Sequence, residues 1–376
     1  MSNKQLETLL VQLGNHSDTK TGAVNPPVYF STSYSHEGIG QSTGFDYSRT
    51  KNPTRSILES AISELEHGDQ GFAFSSGMAA IQAILAIFKS GDHILVSDDL
   101  YGGTFRLFAH AEKHYGISFT YFDTQSNEQL SSLLTHRTKA IFVENPSNPL
   151  MKLTDLEKIA RIAENRDLLF IVDNTLFTPL LQNPLLLGAD IVVHSATKYL
   201  GGHNDILAGL VVAKGENICA EIQQYQNGAG AVLSPFDSWL LMRGMKTLPL
   251  RMKQHEENAR KVTEFLTNHE AITDVFYPDK GGMLSFRLRS EEWVDLFLRK
   301  LTLVTFAESL GGVESFITYP STQTHAEIPE DIRLEKGVCN RLLRFSVGIE
   351  NIDDLIQDLN QALSIFKEEV VQIDKY

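Results

Sequence analysis

From about Ser56 onward the chain alternates between short, continuously apolar runs and longer segments whose apolar residues recur every three to four positions. The first signature predicts buried strands and the second amphipathic helices. SILESAISELEHG predicts a helix ended by Gly68, and GFAFSS a short strand. Ser75-Ser76-Gly77-Met78 then opens a helix over GMAAIQAILAIFKSG. HILVSD predicts a strand and DLYGGTFRLFAHAEKHYG a helix, with Tyr101, Gly102, Gly103 and Arg106 at its start. ISFTYFD, a helix near Asn127 to Leu134, and KAIFVE form the next strand–helix–strand unit. After the Pro/Asn loop NPSNPL, TDLEKIARIAENRD predicts a helix with Thr154 as its N-cap. LLFIVDN is an apolar strand ending in Asp173; the next begins with Ile191-Val192-Val193 and ends in Lys198, and ILAGLVVAKG is one more.

Apolar strands separated by helices predict an α/β fold, a mostly parallel sheet with helices on both faces. Strand after strand finishes in a polar or small group: Ser75, Ser76, Asp98, Glu144, Asp173, Ser195, Lys198. In open α/β sheets the ligand crevice lies beyond the carboxyl ends of the strands, so these residues are expected to converge. From about Glu216 to Leu266 the pattern is helical. The remaining third is α+β, with MLSFRL, a helix around Trp293 to Lys300, FAESLGGVESFITYP, RLLRFSVGIE and a terminal helix over IDDLIQDLNQALSIF. Three parts are expected: an N-terminal arm over 1–50, a large domain over 51–247 and a smaller C-terminal domain over 248–376.

The arm carries a short helix near Gln5 to Leu13, followed by TGAVNPPVYFSTSY and GIGQSTGFDYSRTKNPTR, with Phe45, Tyr47, Arg49 and Arg55 among Gly, Pro and Ser. Such a segment buries little of itself, so its aromatics are expected to dock on something else. It reads either as an ordered surface loop or as an arm reaching a neighbouring subunit, with Tyr47 and Arg49 serving a site there.

Composition narrows the class. With 376 residues, 42% of them hydrophobic, the chain can bury a sizeable core. A net charge of −14 argues against nucleic acid or an acidic membrane surface as the main partner. Two cysteines, Cys219 and Cys339, make no disulfide framework and fit a reducing cytosol, so a cytoplasmic location is expected. The twelve histidines show no zinc-type spacing, and no metal site is expected. The N-terminal MSNKQLETLLVQLGNHSD is amphipathic rather than a signal sequence. No uncharged apolar run approaches the roughly 18 residues that a membrane span needs.

The candidate chemistry centres on ADIVVHSATKYLGG, Ala189 to Gly202. In an extended segment the hydroxyls of Ser195 and Thr197 fall on one side, Lys198 follows at once, and Gly201-Gly202 lets the backbone turn away. Two hydroxyls beside a lysine can hold a phosphate and present an amine; the same residues also read as a strand end with a solvated lysine. The helix start at Gly77-Met78 offers backbone N–H groups to an anion. Were the ligand pyridoxal phosphate, every role it requires has a candidate. Lys198 would form the imine, Asp173 would keep the pyridine nitrogen charged, and Tyr101 would stack on the ring. Ser195, Thr197 and the Gly77-Met78 amides would hold the phosphate.

Eight blocks in order, FDYSRTKNPTR, FSSGMAA, DLYGGT, ENPSNP, VDNT, HSATKYLGGH, ESLGGVES and LLRFSVGIE, resemble the Cys/Met-metabolism family of pyridoxal-phosphate enzymes of fold type I. Within it the resemblance is to the branch of bacterial cystathionine γ-synthases and O-acetylhomoserine thiol-lyases. It implies a large domain with a sheet of the seven-stranded type, a smaller α+β C-terminal domain and an N-terminal arm. It implies Lys198 as the Schiff-base lysine, Asp173 as the pyridinium partner and Tyr101 as the stacking ring. Gly77, Met78, Ser195 and Thr197 bind the phosphate by the same resemblance, with Tyr47 and Arg49 reaching in from the neighbouring subunit of a homotetramer built from dimers that share their sites. Asn148 lies near the cofactor's ring hydroxyl, and Arg344, beside Ser309, clamps the substrate α-carboxylate.

The expected activity is a transferase of methionine biosynthesis. An O-acylhomoserine, acetyl or succinyl, exchanges its γ-substituent for cysteine to give cystathionine, or for sulfide to give homocysteine. Glu308 before Ser309 resembles the γ-active members, whereas β-lyases resemble one another in having a tyrosine there. Gly103 departs from methionine γ-lyase, which has a cysteine in this block, and Arg49-Thr50 departs from relatives with two arginines. The alternative in the same class is cystathionine cleavage at the γ or β position. A fold-type-I protein without catalysis, acting as a binding module, is the alternative from another class.

Overall fold

The structure, a computed structural model, describes residues 4–125 and 127–364. The chain forms two compact units, one of Met1–Ser97, Thr104–Asn145 and Thr154–Pro249, the other of Asp98–Gly103, Pro146–Leu153 and Leu250–Tyr376.

The first unit holds a seven-stranded sheet: β1 Gln70–Phe74, β2 His93–Ser97, β3 Ser118–Phe122, β4 Thr138–Glu144, β5 Leu169–Asp173, β6 Ile191–Ser195 and β7 Gly209–Ala213. Their order across the sheet is β1-β7-β6-β5-β4-β2-β3. Strands β3, β2, β4, β5 and β6 are mutually parallel, and β7 runs antiparallel to both of its neighbours, β6 and β1. Every residue of β2 and β7 is buried, so both faces of the sheet are covered, as continuous apolar runs require. The doubly reversed β7 turns β1 parallel to β6, and the carboxyl ends of β1, β4, β5 and β6 therefore share one edge.

The second unit contains five strands, β8 Ile272–Phe276, β9 Met283–Leu288, β10 Thr305–Phe306, β11 Phe316–Thr318 and β12 Leu342–Ser346. Their order is β10-β11-β12-β9-β8, antiparallel except for the β10–β11 pair. Leu284, Phe286, Leu343 and Phe345 of the sheet pack with Val262, Leu266, Phe297, Leu355 and Leu359 of helices Leu248–Thr267, Trp293–Lys300 and Ile352–Leu363 in one core.

Local chemistry relocates several expected boundaries. The strand expected to end in Lys198 stops at Ser195, because Lys198 N turns back to Ser195 O (3.1 Å) and Gly201 N to Ala196 O (2.9 Å). The helix expected to be capped by Thr154 begins at Leu156, with Asp155 as N-cap accepting from Lys158 N at 3.0 Å. The helical stretch from Glu216 is three helices, Glu216–Ala229, Pro235–Met245 and Leu248–Thr267. Gly230 in the left-handed region (φ 77°) ends the first, and Ser234 with Pro235 starts the second. Ile365 and Phe366 of the expected terminal helix lie outside the described residues. Among the described residues no helix is long and apolar enough to cross a membrane.

Candidate active site

In the first unit the shared edge gathers Asp173, Ser195 and the start of helix Gly77–Leu85. Gly209 pairs with Phe74 on one side and Ser195 on the other. A Cβ at Gly209 would lie 2.1 Å from Ser76 O, so only glycine lets the chain leaving β1 cross here. A Cβ on Gly77 would meet Ser195 Cβ at 2.9 Å and Oγ at 3.0 Å, which sets the helix start directly against Ser195. Ser76 caps that helix through its Oγ, taking Ala79 N at 3.1 Å, and its carbonyl takes Ala80 N. The N–H groups of Gly77 and Met78 have no acceptor among the described residues, as the geometry of a helix start dictates. Small residues, two unmatched amides and a positive helix end make an anion cradle.

Beside it lies a linked set of polar groups. Ser195 N donates to Thr175 Oγ1 (2.8 Å), and that hydroxyl donates to Asp173 Oδ1 (2.6 Å), which also takes Thr175 N at 3.0 Å. Both bonds fall on Oδ1, and Oδ2 has no hydrogen-bond partner among the described residues. Burial raises the Asp173 carboxyl above the ordinary carboxylate range, against the lowering effect of the Thr175 bonds and of His194. A buried carboxyl in that condition gains from a cation placed opposite it.

Thr197 is tied to its own backbone surroundings, its Oγ1 donating to Ala208 O (3.3 Å) and accepting from Ala208 N (3.1 Å). Lys198 is half-buried in the turn after β6, where its carbonyl accepts from Gly202 N at 2.8 Å. A fully buried group stands behind these strand ends. Glu66 Oε1 is bonded by His194 Nε2 (2.7 Å) and Asn174 Nδ2 (3.0 Å), joining the residues that follow Asp173 and precede Ser195.

Tyr47 and Arg49 are exposed in the same unit, the guanidinium 5.6 Å from the tyrosine ring centre. Arg49 donates to the Asn227 carbonyl and, at 3.1 Å, to Asn227 Oδ1, an oxygen that Thr50 Oγ1 shares at 3.0 Å. The loop beneath them is fixed by Arg55, 1% exposed, which bonds the carbonyls of Ser48 (2.9 Å), Arg49 and Thr50 (both 3.2 Å) and pairs with Glu59 at 3.3 Å.

In the second unit Arg344, on the middle strand β12, is 2% exposed. Its Nη1 donates to Asn148 Oδ1 (3.0 Å), and its Nη2 to Ser309 O and Thr318 Oγ1 (3.1 and 3.0 Å). Thr318 is its cross-strand partner on β11 and passes its own proton to Ala307 O at 2.8 Å. Ser309 has φ 142°, a backbone state that few side chains adopt, and Glu308 before it is exposed. Tyr101 is half-buried, and a Cβ on Gly103 would lie 2.4 Å from its ring. Arg344, Asn148 and Ser309 are thus brought together.

Thr175, Glu66 and Arg55 escaped the sequence argument as site residues. Thr175 lies two residues after Asp173, the spacing at which a hydroxyl meets a carboxylate in a turn, and was legible in VDNT. The long-range partners of Glu66, in a helix 128 residues from His194, left no local signal.

The chain matches the family of Cys/Met metabolism PLP-dependent enzymes over residues 7–364. It is 63% identical over 371 residues, 99% of this chain and 100% of the relative, to a cystathionine gamma-synthase/O-acetylhomoserine (thiol)-lyase of Bacillus subtilis. Identity to a cystathionine gamma-synthase of Haemophilus influenzae is 57%, over 96% of this chain and 98% of that protein. Among solved structures it resembles a cystathionine gamma synthase from Xanthomonas oryzae in complex with cystathionine, with a TM-score of 0.94 and 38% identity over 96% of this chain and 98% of that one.

Proposed function

The chain belongs to the Cys/Met-metabolism PLP-dependent enzymes, and from that premise we propose that it joins an O-acylhomoserine to cysteine, giving cystathionine and a free carboxylic acid. The observation that carries this choice of substrates is the 63% identity, end to end, to the Bacillus relative. The acyl group is acetyl in this reading, and sulfide serves as a second acceptor.

The residues of the first unit fit the cofactor. The Gly77-Met78 amides, Ser195 and the Thr197 turn would form a cradle for its phosphate, and Asp173 Oδ2, unmatched on a largely buried residue, would face a charged ring nitrogen. When bound, pyridoxal phosphate supplies an electron sink for charge left on the substrate carbon that bears the amine. Lys198 would hold the cofactor, and with its amine free its Nζ would take the α-proton as general base and move protons between the substrate's carbons. Asp173 stays ionised beside the ring nitrogen, which keeps that sink strong. Thr175 fixes the carboxylate's direction through Oδ1 and ties it to Ser195. Arg344 presents its planar fork to the substrate α-carboxylate, with Asn148, Thr318 and the Ser309 carbonyl setting its orientation. By the likeness to the family Tyr101 would stack on the ring, and Glu308 with Ser309 would position the rest of the amino acid. Tyr47 and Arg49, exposed on a loop that Arg55 anchors, serve the site of a second chain in a homotetramer.

The test is a product assay on the purified, cofactor-loaded protein. O-acetylhomoserine plus cysteine should yield cystathionine and acetate, faster than cystathionine alone is broken down. Rapid cleavage of cystathionine with no condensation would replace the synthase by a lyase.

A further inference from the structure

The Arg344 cluster continues inward to a buried carboxylate with no role in the account so far. Asp99 is 4% exposed and follows the carboxyl end of β2. Its Oδ2 accepts from Ser147 Oγ and, at 3.1 Å, from Leu150 N. Ser147 and Leu150 bracket Asn148, whose Oδ1 holds Arg344 Nη1 at 3.0 Å. The remaining contacts close the frame. Ser147 Oγ accepts from Lys152 N (2.9 Å), Ser147 N donates to Lys152 O (3.0 Å), and Ser285 Oγ on β9 donates to Pro149 O (2.6 Å). Ser285 is the cross-strand partner of Arg344. The loop 146–152 is therefore clamped at Ser285 from one side and at Asp99 from the other, with Asn148 between them.

We propose that Asp99 is a positioning residue for substrate recognition: by gripping the loop on both sides of Asn148 it aims that amide at Arg344, and so aligns the guanidinium with the substrate α-carboxylate. The inference rests on the assignment of Arg344 to that carboxylate. A carboxylate is a costly choice for this place. Burial pushes its carboxyl up to about 6, offset in part by the Ser147 bond, the Lys152 charge and the Leu150 N–H. What it supplies is one oxygen that takes two donors from a single loop, a charge-assisted grip stronger than a neutral one.

Asp99→Ala removes both bonds, and Ser147→Ala removes one without touching the carboxylate. Each should raise KM for O-acetylhomoserine, Asp99→Ala by about tenfold, the scale of one lost charge-assisted bond, with kcat at saturation little changed. Titration calorimetry with unesterified homoserine, which has no leaving group, should show the same loss of affinity. Asp99→Asn keeps an acceptor oxygen in place and should restore KM to within about threefold of wild type. In an Arg344→Lys background, Ser147→Ala should add nothing further, because both act on one contact. If Arg344→Lys leaves KM and homoserine affinity unchanged, the assignment of Arg344 fails. If Arg344→Lys weakens both while Asp99→Ala and Ser147→Ala do not, the positioning role of Asp99 is overturned. A fall in unfolding temperature or kcat with wild-type homoserine affinity also overturns it, since that pattern marks a purely structural residue. Should Asp99→Ala not fold, Ser147→Ala and Asp99→Asn decide the matter.

Discussion

Gly77→Ala probes the anion cradle with a single methyl group. That methyl would lie 2.9 Å from Ser195 Cβ, 3.0 Å from its Oγ and 3.1 Å from its Cα, where carbon atoms prefer about 3.5–4.0 Å. Ser195 must withdraw by several tenths of an ångström. It is not at liberty to do so, because its N–H is held by Thr175 Oγ1 at 2.8 Å and that hydroxyl by Asp173 at 2.6 Å. Overpacking of this kind costs about 1–3 kcal/mol, and alanine in place of helical glycine returns up to about 1 kcal/mol. The cofactor-free protein should accordingly lose about 0–3 kcal/mol of stability. Displacing Ser195 spoils the cradle itself, so affinity for pyridoxal phosphate should fall about 5–30-fold, the equivalent of 1–2 kcal/mol. The assay is absorbance titration of the stripped protein with pyridoxal phosphate, with urea unfolding of the stripped form in parallel. A folded Gly77→Ala protein that binds the cofactor as wild type does would refute the placement of the phosphate against Gly77 and Ser195.

Other substitutions read other links of the same network. Thr175→Val leaves Ser195 N without its acceptor and Asp173 without its hydroxyl donor, and should cost about 1–3 kcal/mol in urea unfolding together with weaker cofactor binding; unchanged binding would show that Asp173 needs no orientation. Glu66→Ala leaves the buried His194 Nε2 without its partner and takes one of the two acceptors of Asn174 Nδ2, and should cost about 1–3 kcal/mol, with Glu66→Gln recovering part of it. Acid stability should follow His255 and His325, whose buried rings are each held near 4 against the ordinary 6.5 chiefly by desolvation. A folded pKa below the unfolded one means their contribution is complete above about pH 6.5 and is lost on descent to pH 4, about 3 kcal/mol for each. Asp99, pushed up to about 6, works in the opposite sense and offsets about one of the two. Glu59, Asp173 and Asp190, also raised by burial, act in the same sense as Asp99, so the test is differential. His255→Asn should lessen the loss of urea midpoint between pH 6.5 and 4 relative to wild type, and an unchanged difference between the two pH values would contradict the assignment.

The central strands β4 to β7 were legible because their apolar runs, such as AIFV, FIV, IVV and GLVVA, are buried on both faces. Asp173 and Ser195 stood out for the complementary reason, being polar residues where such a run stops. Lys198 was expected to end its strand, and there its backbone was misjudged, since the strand stops at Ser195. The extended geometry expected to align Ser195 and Thr197 gives way to a turn closed by Lys198 N and Gly201 N, bonds that periodicity does not encode. Thr154 lost its cap to Asp155 by one position, which is within the reach of competing side chains. Among the paired acids, the sequence drew notice to Asp98 at the strand end, whereas the carboxylate that grips the Asn148 loop is Asp99. Its partners lie 48 and 51 residues away, so only the folded chain reveals it. Arg55 was noticed as a residue of the arm, but its three backbone carbonyls are a tertiary arrangement with no compositional signature.

All of the chemistry set out above requires one amine to carry the cofactor. Loading the protein with pyridoxal phosphate, reducing it with borohydride and locating the pyridoxyl group by peptide mass spectrometry tests that directly. The group should be found on Lys198, in the peptide containing HSATKYLGG, at close to one per chain. Recovery on a different lysine, or no specific incorporation at all, would contradict the assignment of this chain's active site.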